Sequence, residues 1–314
     1  MSKKISVVIA TYCRYEVVPR AIDSLLAQQG VNRDDVEIIV VDNTPKEKRQ
    51  RIANDSLCDK FIHEDISGLS RARNLGIAIA SAPLVAFLDD DAIAHPTWVL
   101  EAQSLMEAHP GWLVLGGRII ADYREAERPN WMDSKLEEFL SCVDWPVEKA
   151  TPMSEGTWIA GANMVFRKKV FESGVGFDTR LGRNGTSSLL SNDETELFEQ
   201  IGKENIYYTP SMPVQHVIPA NRLRPEWFRK RVYWQALSDL IAGTVWMTPS
   251  QAQDRFQQDI AQVPAEYRSY HAMAFKPRNS EEMNRQLRLI YSMVISLSGG
   301  LPDFEWTRSE AFHE

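Results

Sequence analysis

Three consecutive carboxylates, Asp89-Asp90-Asp91, follow directly on the apolar run Leu84-Val85-Ala86-Phe87-Leu88. Adjacent carboxylates repel one another, so a buried strand ending in three of them needs a cation or hydrogen-bond donors to offset the charge. A hard divalent ion takes oxygen ligands, and magnesium usually takes one or two carboxylates together with substrate phosphates. The plainer alternative is a solvated turn whose last acid caps the next helix; the buried strand before the triplet favours the metal. Asp42, after Glu37-Ile38-Ile39-Val40-Val41, has two readings. It either makes an Asx turn with Asn43 and Thr44 or accepts from a base N–H or a ribose hydroxyl. Arg71 and Arg73 fall in the first turn of a helix, where the dipole disfavours cations. They predict an anionic ligand or a surface pair with Glu64 or Asp65. Asp193-Glu194 opens a helix, a normal place for acids; its functional reading is a general base for an acceptor hydroxyl. His216, after Pro210 and Pro213, reads as a loop residue, and beside a carboxylate metal site it becomes a further ligand candidate.

The elements that must position these groups follow from periodicity. Ile5–Ala10 is a continuous run of mostly β-branched residues, the pattern of a strand buried on both faces. After the polar break Thr11-Tyr12-Cys13-Arg14, Val17, Val18, Ala21, Ile22, Leu25 and Leu26 recur at helical spacing, with Pro19 near the start. Strands are expected at Glu37–Val41, Lys60–His63, Leu84–Leu88, Trp112–Gly117 and Trp158–Phe166. Helices are expected after Asp42 through Ile52, from Gly68, at about 97–108 and at Asp193–Ile201. Strand alternating with helix signals a doubly wound, mostly parallel sheet, whose ligands bind beyond the carboxyl ends of the strands. Three such ends carry chemistry: Thr11 to Arg14, Asp42, and Asp89 to Asp91. Asp122–Pro152 has weak periodicity, and Gly182–Ser191 reads as a mobile loop. Trp131, Trp145 and Trp158 are core or interface residues by type, with sugar stacking as the alternative.

The 314 residues, 44% hydrophobic and 25% charged, are those of an ordinary globular protein of one or two domains. A net charge of −8 argues against nucleic acid, which needs a basic face, but not against a single nucleotide. The three cysteines fit neither a disulfide framework nor a CxxC site and predict a reducing compartment. Met1–Lys4 runs into a strand with no signal-peptide apolar region, and Leu289–Leu301 is shorter than the roughly 20 apolar residues a bilayer requires. A cytoplasmic chain is expected. The cluster Arg222, Arg224, Arg229, Lys230 and Arg231, interleaved with Trp227, Phe228, Tyr233 and Trp234, reads as an exposed helix face. Its sharper reading is peripheral contact with the inner face of an anionic membrane.

Taken together, several segments resemble the GT-A glycosyltransferases of family 2 over roughly residues 5 to 220. They are Ser6–Arg14, Ile38–Asn43, Gly68–Gly76, Phe87–Asp91 (similar to the family's Asp-x-Asp motif), and Gly161-Ala162-Asn163 with Asp193–Leu197. The resemblance implies an α/β fold of GT-A type, a Rossmann-like, mostly parallel sheet flanked by helices, with a C-terminal helical extension. It divides the chain into a nucleotide-sugar subdomain (1–120), an acceptor-side subdomain (121–224) and a helical region (225–314). It implies that Thr11, Tyr12 and Asp42, with Arg14, hold the base and ribose of a nucleoside diphosphate, UDP first among them. Arg71 contacts the nucleotide, Asp89 and Asp90 the ribose and metal shell, and Asp91 binds Mn²⁺ or Mg²⁺ with His216. Glu194 stands where the family usually has an aspartate base; Asp193-Glu194 replaces Glu-Asp, which leaves the choice between the two open. The implied reaction is a single inverting displacement at the sugar C1 onto a carbohydrate or lipid-linked acceptor. Competing readings are a nucleotidyltransferase, against which stands the lack of a glycine-rich phosphate loop, and a non-catalytic carbohydrate-binding relative.

Overall fold

Strand β1 (Ile5–Thr11) is buried along nearly its whole length because its β-branched residues meet helices on both faces of the sheet. Helix α1 (Val18–Leu26) turns Val18, Ala21, Ile22 and Leu25 inward and starts with proline in its first turn. The chain continues through β2 (Val36–Asp42), β3 (Lys60–His63), α2 (Leu69–Ile79), β4 (Leu84–Leu88), β5 (Ala92–Ala94) and α3 (Trp98–Ala108). It then runs through β6 (Val114–Asp122), the one-turn α4 (Ser134–Glu137), β7 (Thr151–Pro152), β8 (Asn163–Arg167), α5 (Asp193–Ile201) and β9 (Ile206–Val217). Three longer helices close the chain: α6 (Pro225–Ala242), α7 (Pro249–Ala261) and α8 (Ser280–Ser298). This computed structural model describes residues 3–50, 57–185, 188–268 and 270–299. The expected helix end at Ile52, and Thr186 and Ser187 of the expected mobile loop, lie outside them.

Among the described residues the nine strands form one sheet in the order β3-β2-β1-β4-β8-β6-β9-β5, with β7 also on β9. The first four strands are parallel; β8 runs antiparallel to β4 and β6, and β9 runs parallel to β6. The α/β sheet of the sequence reading is present, parallel in the half formed by β3, β2, β1 and β4 and mixed beyond it. Several strand bounds differ from expectation: β1 runs one residue farther, β2 gains a residue at each end, and β6 covers Val114–Asp122 rather than Trp112–Gly117. The expected strand over 158–166 is observed as β8, Asn163–Arg167, and Ile159 before it packs where a side chain on Gly116 of β6 would lie. His216 sits on a strand rather than in a loop: Pro210 and Pro213 fall where the β6–β9 register shifts between Thr209 and Val214. Proline lacks the ladder N–H and is tolerated at such an irregularity.

The contacts divide the chain into two units. The first holds the sheet and comprises Met1–Glu127, Ser134–Ser188 and Asp193–Ala220. The second comprises Arg128–Asp133, Leu189–Asn192 and Asn221–Glu314. In the second, α8 buries Met283, Leu287, Leu289, Ile290, Val294 and Ile295; Ala236 of α6 and Ala252 of α7 share a cluster with Val294 and Ile295. Helix α7 begins with a reciprocal capping box between Thr248 and Gln251. No helix among the described residues is long and apolar enough to cross a membrane.

Candidate active site

The acidic triplet lies at the carboxyl end of β4, and strand register brings His216 to it. Ala92, one residue past Asp91, pairs with His216, and the Val217 N–H donates to the Asp91 carbonyl at 2.9 Å. His216 Nε2 is 3.0 Å from Asp91 Oδ1, both side chains being almost fully buried. Ligand atoms of Asp89, Asp91 and His216 all lie within 4.8 Å of one another. Asp90 points elsewhere: Thr11 Oγ1 donates to its Oδ2 at 2.8 Å and Arg14 Nη1 to its Oδ1 at 2.7 Å. The same Arg14 nitrogen reaches Asp91 Oδ2 at 2.7 Å. Burial pushes the Asp90 carboxyl up to about 6, with Arg14 opposing and Asp91 adding to the rise. Burial also disfavours the charge of Arg14, yet Asp90 and Asp91 raise its pKa above the ordinary arginine value.

A second cluster was not assembled by the sequence reading. Arg73 is buried in the first part of α2, and its Nη1 donates to Asp193 Oδ2 at 2.8 Å and to Glu194 Oε1 at 3.0 Å. Its Nη2 is 3.5 Å from Asp89 Oδ1, so one guanidinium joins the acidic triplet to the start of α5. Neither Glu64 nor Asp65 is its partner; Asp65 pairs with Arg49. Arg71 is half-buried and makes no ion pair among the described residues. Gly161 donates its N–H to Glu194 Oε1 at 3.1 Å, and a side chain at Gly161 would collide with Arg73 Nη2. Burial penalises both acids of α5, but Arg73 pulls Glu194 down to about 2. Burial and the neighbouring Glu194 charge hold Asp193 well above the ordinary aspartate range. Helical position alone distinguishes Arg73 from Arg71: residue 73 falls with the buried Ala72, Gly76 and Ile77 of α2.

Residues 6–174 match Glycosyl transferase family 2. The chain belongs to this glycosyltransferase family. It is 26% identical over 269 residues, 83% of this chain and 84% of that protein, to the glucosyl-dolichyl phosphate glucuronosyltransferase of Haloferax volcanii. A validoxylamine A glucosyltransferase of Streptomyces hygroscopicus is 36% identical over 112 residues, 34% of this chain but only 26% of that protein. In fold it is similar to the mannosyltransferase PcManGT of Pyrobaculum calidifontis, solved with GDP-Man and Mn²⁺, at TM-score 0.58, 16% identity, covering 96% of this chain and 89% of that one. Crystalline S. aureus TarS with UDP superposes at TM-score 0.50 and 13% identity, covering 95% and 92%. These neighbours establish the GT-A fold of the family 2 enzyme.

Within this glycosyltransferase, Asp42 is fully buried. Its Oδ1 accepts the Thr44 N–H at 3.0 Å, the Asx turn, and its Oδ2 accepts from Tyr15 at 2.9 Å and lies 3.2 Å from His63. Thr44 in turn accepts the Cys13 N–H at 2.8 Å, where Cys13 has a φ of 54°. Asp42 thus holds the loop that carries Tyr12 and Arg14. Tyr12 is half-buried, with its hydroxyl beside Gly185. Arg183 of the 182–191 segment and Leu181 just before it bond to α2: the Leu69 N–H donates to the Arg183 carbonyl and Ser70 Oγ to the Leu181 carbonyl. Trp145 donates Nε1 to the Trp158 carbonyl at 2.8 Å, and both rings pack on the sheet core. Trp131 lies edge-on against Phe228 in the helical unit.

The residues present fit a divalent cation. Two carboxylates and one imidazole converge, and the buried His216 Nδ1 has no hydrogen-bond partner among the described residues.

Proposed function

We propose that this family 2 enzyme is a metal-dependent, inverting transferase that moves a sugar from a nucleoside diphosphate, UDP first among the candidates, to a hydroxyl acceptor. The observation that carries the reading is the convergence of Asp89, Asp91 and His216 beyond the carboxyl end of β4, with Arg73 linking Asp89 to Glu194. A divalent cation held by Asp89, Asp91 and His216 would act as a Lewis acid, offsetting charge on the departing diphosphate. Thr11 and Arg14 keep Asp90 and Asp91 oriented, and Tyr12 and Arg71, both half-buried, remain available to the nucleotide. Glu194 is the base. Its side chain is 21% exposed against 3% for Asp193, so it is the more open of the two to an acceptor hydroxyl. Arg73 holds its carboxylate through a 3.0 Å bond. Bound nucleotides in the structural neighbours support a nucleotide-sugar donor. The Haloferax relative, a glucosyl-dolichyl phosphate glucuronosyltransferase, supports a lipid-linked carbohydrate as acceptor and a hexuronic acid as the sugar, and the Streptomyces glucosyltransferase supports a hexose.

The test is a product assay with UDP-, GDP- and dTDP-sugars, each with Mn²⁺, with Mg²⁺ and with EDTA. Transfer from a UDP-sugar that needs Mn²⁺, and that falls by about a hundredfold in Glu194→Gln at unchanged donor KM, supports the reading. Undiminished transfer in EDTA overturns the metal dependence. An inactive Asp193→Asn beside an active Glu194→Gln moves the base to Asp193.

A further inference from the structure

Strand β9 brings His216 to the acidic triplet through a slip in its pairing with β6. Up to Gly117 and Thr209 the two strands keep one parallel register, and from Ile119 and Val214 another. Four residues of β9, Pro210 to Pro213, stand against the single residue Arg118. In the first register Pro213 would face Ala121; in the second His216 does. Such a slip takes backbone groups off the ladder, and buried ones need other partners. The fully buried side chain of Asn163, on β8, supplies them. Its Nδ2 donates to the Met212 carbonyl at 2.7 Å and to the Arg118 carbonyl at 3.0 Å, one acceptor from each strand of the slip. Its Oδ1 accepts from Trp98 Nε1 of α3 at 2.8 Å. Two donors and one acceptor are what a neutral amide offers, whereas an ionised aspartate or a leucine offers no donor. Gly117 lets the amide through: a Cβ there would lie 2.3 Å from both Asn163 Nδ2 and the Met212 carbonyl. Asn163 also stands level with Leu88, the residue before the acidic triplet. All of these residues belong to the sheet unit.

We infer that Asn163 is a positioning residue for the candidate metal site: its amide locks the slip that brings His216 Nε2 within 3.0 Å of Asp91 Oδ1. The consequence for transfer rests on the reading of Asp89, Asp91 and His216 as metal ligands; the lock itself does not. Asn163 acts through the backbone of β9. Without the amide the Met212 and Arg118 carbonyls lose their donor, the four slipped residues gain freedom, and His216 is no longer held at one distance from Asp91.

The test uses the full chain with Mn²⁺ alone. Asn163→Leu removes the two donors at similar volume. Gly117→Ala wedges a methyl against the amide and the Met212 carbonyl while removing no polar group, and it carries the test if Asn163→Leu does not fold. Trp98→Phe takes away the bond on Oδ1 and reports what a loosened core does by itself. In Asn163→Leu and Gly117→Ala, Mn²⁺ affinity in isothermal titration is expected to fall about tenfold. Exchange of the Val217 amide, which donates to the Asp91 carbonyl at 2.9 Å, quickens by about tenfold while β1 amides keep their rates. Trp98→Phe lowers the unfolding midpoint but leaves both readouts within about twofold of wild type. His216→Ala runs beside them. Where that variant weakens Mn²⁺ binding, wild-type affinity or wild-type Val217 exchange in either folded variant overturns the inference, and so do equal losses in Trp98→Phe. Undiminished binding in His216→Ala instead removes His216 from the ligand set, and Val217 exchange then decides the lock by itself.

Discussion

Asp90 and Asp91 are neighbours in sequence with different duties, and their environments separate them. Asp90 is held by Thr11 and Arg14 in a buried position that lifts its pKa to about 6. Its folded value therefore lies above its unfolded one, so the native state binds the proton more tightly. The stability this supplies is complete below the unfolded value, near pH 4, and is lost as pH rises through about 6. At about 1.4 kcal/mol per pH unit, the ionised form costs ~3 kcal/mol at most. Asp90→Asn removes that cost, so in EDTA at pH 8 the variant is expected to be more stable than wild type by up to that amount, with the gap closing near pH 4. Denaturant titrations at the two pH values check it; a variant less stable at pH 8 would mean that the Arg14 pair dominates. Asp91→Asn, which changes a candidate metal ligand, is expected to lower Mn²⁺-dependent transfer by about a hundredfold or more while leaving the unfolding midpoint near wild type. Isothermal titration with Mn²⁺ alone should show the same loss, and tight Mn²⁺ binding by the variant would remove Asp91 from the ligand set.

Secondary elements act here mainly by where they end and what they leave out. The segment leading into β8 passes Arg73 and Glu194 so closely that only glycine fits at position 161. Gly161→Ala should push the guanidinium off Glu194, costing about 1–3 kcal/mol of stability through overpacking and lowering kcat together with it. Unfolding midpoints and steady-state kinetics on one preparation measure both effects, and an unperturbed variant would show that this approach is slack. Strand β9 makes the complementary point: its proline-bearing irregularity resets the register so that His216 comes level with Ala92, beside Asp91. Two prolines that argue against a strand thus sit where the strand needs no ladder donor from them.

Across the whole molecule the charge is distributed unevenly. An acidic chain of net charge −8 carries a basic cluster on α6 and just before it. The cluster is not a single exposed face. Arg229 donates to Gln286 Oε1 at 3.0 Å and to the Phe275 carbonyl at 2.7 Å, and burial lowers its pKa. Arg231 is half-buried, whereas Arg224 and Lys230 are exposed. Peripheral membrane contact, if used to reach a lipid-linked acceptor, therefore falls to Arg224 and Lys230, each contributing roughly 1 kcal/mol near an anionic surface. In flotation with anionic vesicles at low salt, Arg224→Gln with Lys230→Gln should weaken binding. Arg229→Gln should leave binding unchanged and lower stability by about 1–2 kcal/mol through its lost hydrogen bonds. Absence of binding by the wild-type chain at low salt would remove the membrane from the account.

Local pattern was enough for the frame of this enzyme. Lys60–His63, Leu84–Leu88 and Asp193–Ile201 are bounded in the structure as periodicity bounds them, because burial on two faces and helical amphipathicity are written in neighbouring residues. The order of these motifs likewise sufficed for the family. Tertiary structure alone decided which groups meet. Arg73 and its acids are separated by 120 and 121 residues in the chain, and no spacing rule links positions so distant. The Asx turn of Asp42, the placement of His216 on a strand and the reach of Asn163 to the Met212 carbonyl depend in the same way on long-range packing and register. Hydrophobic periodicity encodes which way a side chain faces; which partner it finds there is set only when the sheet and helices assemble.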